Sequence, residues 1–271
     1  TIKEAYDWVG TPSTWGNPKW VNNFPDVDSP SVERLLGAGA VIWAKTNVPY
    51  MLADWQSFND LYGCTNNPWD LARTPGGSSG GSAVSLATGM AALEIGSDIG
   101  ASIRNPAHYC GVFGHKPTMD LIPQQGHTAP GVDTAVDIAV VGPLARSAKD
   151  LDMALSVLAG PAGFDATGYR VDLPHSTRES LSDYRVGVLL DTPACKTATP
   201  LIDHLQGTVD QLAGLGVQVS SAIPRIDQVE FFENYLLLLR AATGASSNDE
   251  ACANALPGHE AWERGERTYR N

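Results

Sequence analysis

Arg73-Thr74-Pro75-Gly76-Gly77-Ser78-Ser79-Gly80-Gly81-Ser82 is the stretch on which the reading of this chain turns. By composition alone it is a flexible Gly/Ser linker. Its downstream flank argues otherwise. Ser82 to Ala92 is small, apolar and helix-like, and it leads at once into Leu93-Glu94-Ile95, so the loop belongs inside a domain. A phosphate loop fails because no Gly-Lys-Ser/Thr follows the glycines. A third reading is the nucleophile elbow Gly-x-Ser-x-Gly, which Gly77-Ser78-Ser79-Gly80-Gly81 satisfies with Ser79 at its centre. That elbow needs a strand directly before the serine, and Thr74-Pro75-Gly76 suits one poorly because Pro disfavours a central strand.

A second serine-bearing cluster lies downstream: Gly96-Ser97-Asp98-Ile99-Gly100-Ala101-Ser102-Ile103-Arg104-Asn105-Pro106. The plain reading is a turn between a strand and a helix. The functional reading is a nest. Small residues let successive backbone N–H groups point at one spot, where they stabilise an oxyanion, and a serine ending the run is placed to attack a carbonyl.

Around these clusters the pattern alternates strand and helix. Ser29-Pro30 reads as an N-cap and first helical position, with Val32, Leu35 and Leu36 as the apolar stripe and Gly37 to Gly39 as the stop. Val41-Ile42-Trp43-Ala44 reads as a buried strand. Ile138-Ala139-Val140-Val141 reads as another, closed by Gly142-Pro143. Ser147 caps a helix through Ala159, with Leu151, Ala154, Leu155 and Leu158 on one face and Gly160 as its stop. In the second half, Arg185 to Leu190 is strand-like. Ile202, Leu205, Val209 and Leu212 have helical spacing, Val217 to Val219 resumes as a strand, and Phe231 to Ala242 is a helix. This rhythm implies an α/β protein with a mixed, largely parallel sheet flanked by helices. Residues 161–180 read as a surface excursion, and no clear linker appears.

The chain has 271 residues, with 18 Lys+Arg against 30 Asp+Glu and a net charge of −12. That length fits one large domain or two small ones. A hydrophobic content of 43% with 18% charged residues marks an ordered globular protein. The acidity is spread along both halves and argues against a nucleic-acid partner, because phosphate binding needs clustered Lys and Arg. No apolar run approaches the roughly 18 residues of a membrane helix, and Thr1-Ile2-Lys3-Glu4 has no signal-peptide pattern. Cys64, Cys110, Cys195 and Cys252 are too scattered for a zinc pattern or a small disulfide scaffold, so free thiols in a cytoplasmic protein are expected. His108, His115, His127, His175, His204 and His259 show no ligand spacing and read as structural or surface groups.

Taken together, the two clusters closely resemble the amidase signature family of serine hydrolases. The likeness rests on Gly76 to Ser82, on Gly96 to Arg104, and on Cys110-Gly111-Val112-Phe113-Gly114-His115-Lys116-Pro117-Thr118. Thr1-Ile2-Lys3-Glu4 looks like the family's lysine segment and Ala44-Lys45-Thr46-Asn47 like its following strand end. The strong match covers about residues 1–160, the signature core, leaving 161–271 as the substrate-pocket half of one domain. Members are typically much longer, so an incomplete version of the fold, cut at both ends, is expected.

The resemblance implies a Ser–Ser–Lys arrangement, with Ser102 as nucleophile, Ser78 as bridging serine and Lys3 as base. A cis peptide at Gly77–Ser78 is implied with it, as are Ile99, Gly100, Ala101 and Ser102 backbone N–H groups as the oxyanion hole. Ser79 and Asp98 are expected to hold the loops together and Arg104 to pair with a carboxylate, Asp98 among the candidates. Where the family commonly has Gly-Gly-Ser, this chain has Gly100-Ala101-Ser102. If that position needs a positive φ, Ala101 costs on the order of 1 kcal/mol. Phe231, Phe232 and Tyr235 are expected to pack in a core rather than line a pocket. The implied activity is cleavage of a small-molecule carboxylic amide through an acyl-enzyme, with no metal or cofactor, and a homodimer is allowed. The alternatives are an amidotransferase A-type subunit, a non-catalytic fragment of the same fold, and an α/β-hydrolase elbow using Ser79.

Overall fold

Small residues at the start of the helix after the Gly/Ser loop let that helix lie directly on neighbouring main chain. A Cβ added at Gly81 would sit 2.4 Å from the Asn47 nitrogen and 2.6 Å from its carbonyl oxygen. The glycines are therefore packing residues inside a folded unit, not a linker. The structure, a computed structural model, describes residues 1–132, 134–174, 176–193, 195–244, 257, 260, 261 and 264. Two units divide the chain, Thr1–Leu173 and Pro174–Asn271. Their boundary falls within the surface excursion expected at 161–180.

In chain order the first unit contains β1 (Ile2–Lys3), α1 (Pro30–Gly37), β2 (Lys45–Thr46), β3 (Phe58–Asn59), β4 (Gly63–Cys64), α2 (Gly80–Ala87), β5 (Leu93–Asp98), α3 (Arg104–Cys110), β6 (Phe113–Gly114), β7 (Val140–Ala145) and α4 (Ala148–Leu158). Its mixed sheet has the order β2-β1-β5-β7-β6. Strand β1 is parallel to both β2 and β5, while β7 is antiparallel to β5 and β6. Residues three apart on a strand face opposite sides. Accordingly Val141 joins Ile2, Val32, Ile95 and Leu158 in a core with α1 and α4, while Leu144 joins Ala83, Leu86, Ile103 and Ala107 in a core with α2 and α3. The α/β class with a mixed sheet between helices is as the sequence implies.

The caps read from sequence hold. Ser29 Oγ accepts from Val32 N, and Ser147 Oγ accepts from Asp150 N at 3.1 Å. Three local expectations are corrected. Val41 to Ala44 is not a strand; the ladder begins at Lys45, and Val41 and Trp43 are 84% and 59% exposed. Leu36 also lies on the exposed side of α1. Strand β7 does not stop at Gly142-Pro143 but runs through it to Ala145. Pro143 lacks an N–H but still offers its carbonyl, which accepts from His115 N at 3.0 Å. A Cβ at Gly142 would lie 2.5 Å from the His115 carbonyl oxygen, so the close approach there needs glycine.

The second unit holds β8 (Arg185–Gly187), α5 (Thr199–Gly214), β9 (Gln218–Ser220) and α6 (Gln228–Gly244), with β8 and β9 parallel. Phe231 and Phe232 are exposed, against the expectation of core packing, and Tyr235 is half-buried. Helix α6 is apolar around much of its girth, and a helix can turn only one stripe inward; Leu236 is its buried residue. Cys64 and Cys195 are exposed free thiols and Cys110 is a buried one. Cys252, His175 and His259 lie outside the described residues. No helix among the described residues is long and apolar enough to cross a membrane.

Candidate active site

Lys3 ends β1, a strand enclosed between β2 and β5, and its side chain is fully buried. The sheet delivers its Nζ to two hydroxyls. Nζ donates to Ser78 Oγ at 2.6 Å and to Ser97 Oγ at 2.9 Å. Ser78 arrives from the Gly/Ser loop, and Ser97 arrives from β5. The Gly77–Ser78 peptide is cis. Gly77 is needed for room, since a Cβ there would lie 2.7 Å from the Asp54 carbonyl oxygen. The loop is tied down by Gly77 N, which donates to Asn105 Oδ1 at 3.2 Å.

Ser79 joins three segments. Its N–H donates to the Ser102 carbonyl at 3.1 Å, while its Oγ accepts from Ser97 N and bonds the Ser97 carbonyl, both at 3.3 Å. Irregular backbone precedes it and α2 follows, so the strand that a nucleophile elbow requires is missing at Thr74–Gly76. The bond from Ser79 brings the buried Ser102 main chain alongside the Ser78–Ser79 segment.

Asp98 organises the loop leading to Ser102. Its buried carboxylate accepts from the backbone N–H groups of Ala101 and Ile103 at 3.0 Å each and of Arg104 at 3.3 Å. The Arg104 guanidinium adds bonds at 3.1 and 2.8 Å, so the expected partner of Arg104 is Asp98. Ala101 takes φ 74°, the left-handed conformation in which a Cβ is costly. The Ala101 N–H, expected among the oxyanion donors, is already committed to Asp98. That shifts the weight of such a role to its neighbours.

Electrostatics follow from burial. Burial lowers the Lys3 ammonium from 10.5 to about 7, although Asp98 and Glu94 pull the other way. Burial also raises the Asp98 carboxyl, but the Arg104 guanidinium and the backbone N–H groups outweigh it and hold Asp98 below the usual carboxylate range. Glu94, also buried, accepts from Thr46 Oγ1 at 2.6 Å and from Ile95 N at 2.8 Å, and burial pushes its carboxyl up. His127 sits edge-on to Tyr6 with ring centroids 4.4 Å apart. Burial and then Lys3 lower its imidazole to about 3, which keeps it neutral. Among the described residues no group of three or more His, Cys, Asp and Glu side chains converges as a metal-holding set.

Two contacts escape the sequence reading. Ser97 lies within the second cluster but has no role there, though a lone hydroxyl inside a strand next to an aspartate is a visible signal. Trp55, whose Nε1 donates to the Gly100 carbonyl at 2.7 Å, carries no motif signal.

A family model described as Amidase matches residues 1–268. The A-type subunit of glutamyl-tRNA(Gln) amidotransferase from a Synechococcus strain is 38% identical over 221 residues, covering 80% of this chain and 45% of that protein. The chain thus spans less than half the length of such curated relatives. Among solved structures, a fatty acid amide hydrolase superposes with a TM-score of 0.82 at 27% identity, covering 90% of this chain and 43% of its own. The corresponding glutamyl-tRNA(Gln) amidotransferase protein from Thermotoga maritima superposes with a TM-score of 0.78 at 26% identity, covering 97% and 59%. The lysine segment, the Gly/Ser loop and the Asp98–Ser102 turn therefore lie in a chain that belongs to the amidase signature family.

Proposed function

We propose that this chain carries the catalytic core of an amide hydrolase that works through an acyl-enzyme on Ser102, with Ser78 bridging and Lys3 as base. The observation that carries this reading is the contact at 2.6 Å between Ser78 Oγ and the Nζ of a wholly buried lysine lowered to about 7. A lysine can act as a base only when neutral, and burial supplies that condition near neutral pH. Neutral Nζ keeps one lone pair. Its bond to Ser97 Oγ uses an N–H and helps turn the lone pair towards Ser78. Ser78 then passes its proton to Lys3 while taking the Ser102 proton, and Ser102 Oγ forms a bond to the amide carbonyl carbon. The tetrahedral oxyanion is held by backbone N–H groups of the Ile99–Ser102 turn, Gly100 and Ser102 above all. The proton returns through Ser78 to the leaving nitrogen as the C–N bond breaks, and water cleaves the ester by the reverse relay. The substrate is a small-molecule amide.

A second reading, favoured by the names of the curated relatives, is the A-type subunit of an amidotransferase. The chemistry at Ser102 is then the same, but the released ammonia goes to an acceptor held by a second protein of the complex.

Labelling with a fluorophosphonate, followed by peptide mapping, tests the shared chemistry. The adduct should fall on Ser102, and Lys3→Ala and Ser78→Ala should slow it strongly. An adduct on Ser79 refutes the mechanism, and no adduct on folded protein makes the chain a non-catalytic fragment. Turnover of aryl, aliphatic and fatty amides beside glutamine separates the two readings, since preference for glutamine supports the amidotransferase.

A further inference from the structure

We propose that Trp55 is a positioning residue that locks the oxyanion turn through its indole N–H, an inference that rests on the Ser102 reading. Trp55 lies between the turn at Tyr50–Leu52 and strand β3, in the segment that passes over Gly77. Its main chain lies against the Gly/Ser loop: Thr74 Oγ1 donates to its carbonyl at 3.4 Å, and a Cβ at Gly77 would come within 3.0 Å of its carbonyl carbon. From there the indole reaches a residue 45 positions away, and Nε1 donates to the Gly100 carbonyl at 2.7 Å.

That carbonyl belongs to the same planar peptide whose N–H, on Ala101, donates to Asp98 Oδ1 at 3.0 Å. One peptide plane is therefore held at both ends, by an indole on its oxygen and a carboxylate on its nitrogen. It sits between the Gly100 and Ser102 N–H groups that the mechanism needs, and holding it fixes the two Cα atoms from which the flanking peptides carry those groups. The restraint acts where the backbone would otherwise relax, because Ala101 is held at φ 74°, which a residue with a Cβ disfavours. Trp55 is still 46% exposed, so it adds little to core packing. An oxyanion donor is effective only when already aimed at the developing charge. Trp55 thus acts on the transition state through Gly100.

Trp55→Phe keeps the ring and removes the N–H. The fluorophosphonate labelling rate of Ser102 should fall about tenfold, as expected for the loss of one well-placed hydrogen bond. Hydrolysis of p-nitrophenyl acetate should lose kcat by a similar factor with KM nearly constant, and the midpoint of its pH dependence should not move. A Trp55→Phe protein that labels at the wild-type rate overturns the proposal. So does a rise in KM at constant kcat, which makes Trp55 a pocket wall, and so does a shifted pH midpoint, which makes it act on Lys3. Loss of cooperative melting in both Trp55→Phe and Trp55→Leu makes the residue structural and overturns the proposal as well. Absence of a Ser102 adduct in the wild type is the different failure: it overturns the Ser102 reading and takes this inference with it.

Discussion

Lys3→Met should stabilise the first unit while removing its chemistry, and the gain should depend on pH with a calculable slope. Burial lowers the ammonium from 10.5 to about 7. That drop corresponds to roughly 5 kcal/mol against burying the charged form. The unfolded chain holds the proton up to its ordinary value, whereas the folded chain releases it at about 7. Between those values the unfolded state binds more protons, so wild-type stability rises with pH. The penalty is fully present below the folded value and vanishes above the unfolded one. Met cannot carry the charge, and its unbranched side chain fills similar space. It forfeits the bonds to Ser78 and Ser97, each worth about 1 kcal/mol.

At about pH 6 the variant should therefore be more stable by roughly 3 kcal/mol, and by about pH 9, where about 2 kcal/mol of penalty remains, the advantage should be close to zero. Asp98, Glu94 and His127 feel the Lys3 charge, so the comparison is made again in a His127→Gln background, which removes the neighbouring imidazole's own titration from the pH range. Urea unfolding followed by tryptophan fluorescence makes the measurement. Of the seven tryptophans, Trp8, Trp15, Trp20, Trp43, Trp55 and Trp69 fall in the first unit. An advantage that is absent, or constant across this pH range, refutes the claim that a buried lysine is held neutral by burial, and the general-base role goes with it.

Ala101→Gly should stabilise the fold by about 1 kcal/mol in the same urea assay, because φ 74° penalises a Cβ that glycine lacks. Gly81→Ala should do the opposite, lowering stability by about 3 kcal/mol or abolishing folding, since the new Cβ meets the Asn47 backbone rather than a side chain able to swing away. The rate of Ser102 labelling in the wild type should rise as pH passes through about 7 and then level off, following deprotonation of Lys3.

The parts of this molecule legible in its sequence are those whose physics is local. Ser29-Pro30 and Ser147 announce helix starts because a cap is satisfied within one turn of chain. The Asp98–Arg104 pair is legible because six residues of turn hold both partners. Where the outcome depends on distant chain, pattern reading fails. Val41 to Ala44 has the composition of a strand, yet the ladder begins only where β1 comes alongside, at Lys45. Pro143 reads as a stop, yet its carbonyl still accepts from His115 N just past β6, and a close approach by His115 sets the requirement for glycine at 142. Trp55 is invisible because its partner is 45 residues away and a backbone carbonyl leaves no trace in sequence. Ser78 and Lys3 take their roles from family resemblance alone, whereas the run of small residues ending at Ser102 already suggests a nest with a serine beside it.

The harder question is why Lys3 is not simply a buried ion pair. Two carboxylates stand near enough to raise its affinity for a proton, Asp98 and Glu94. An opposite charge close to a buried lysine would ordinarily keep it protonated and useless as a base. The fold disposes of each carboxylate differently. Asp98 is saturated by one guanidinium and three backbone N–H groups, so most of its field is spent on the turn that it shapes. Glu94 sits instead beside a threonine hydroxyl and a backbone N–H, and burial moves its carboxyl towards the neutral form. What reaches Nζ directly is a pair of serine hydroxyls, each able to accept or donate a hydrogen bond without demanding a charge. Arg104 therefore matters to the lysine as well as to the loop. By neutralising Asp98 it lets burial decide the protonation state of Lys3, so the bonds that shape the Ile99–Ser102 turn also leave Lys3 able to serve as the base proposed for it.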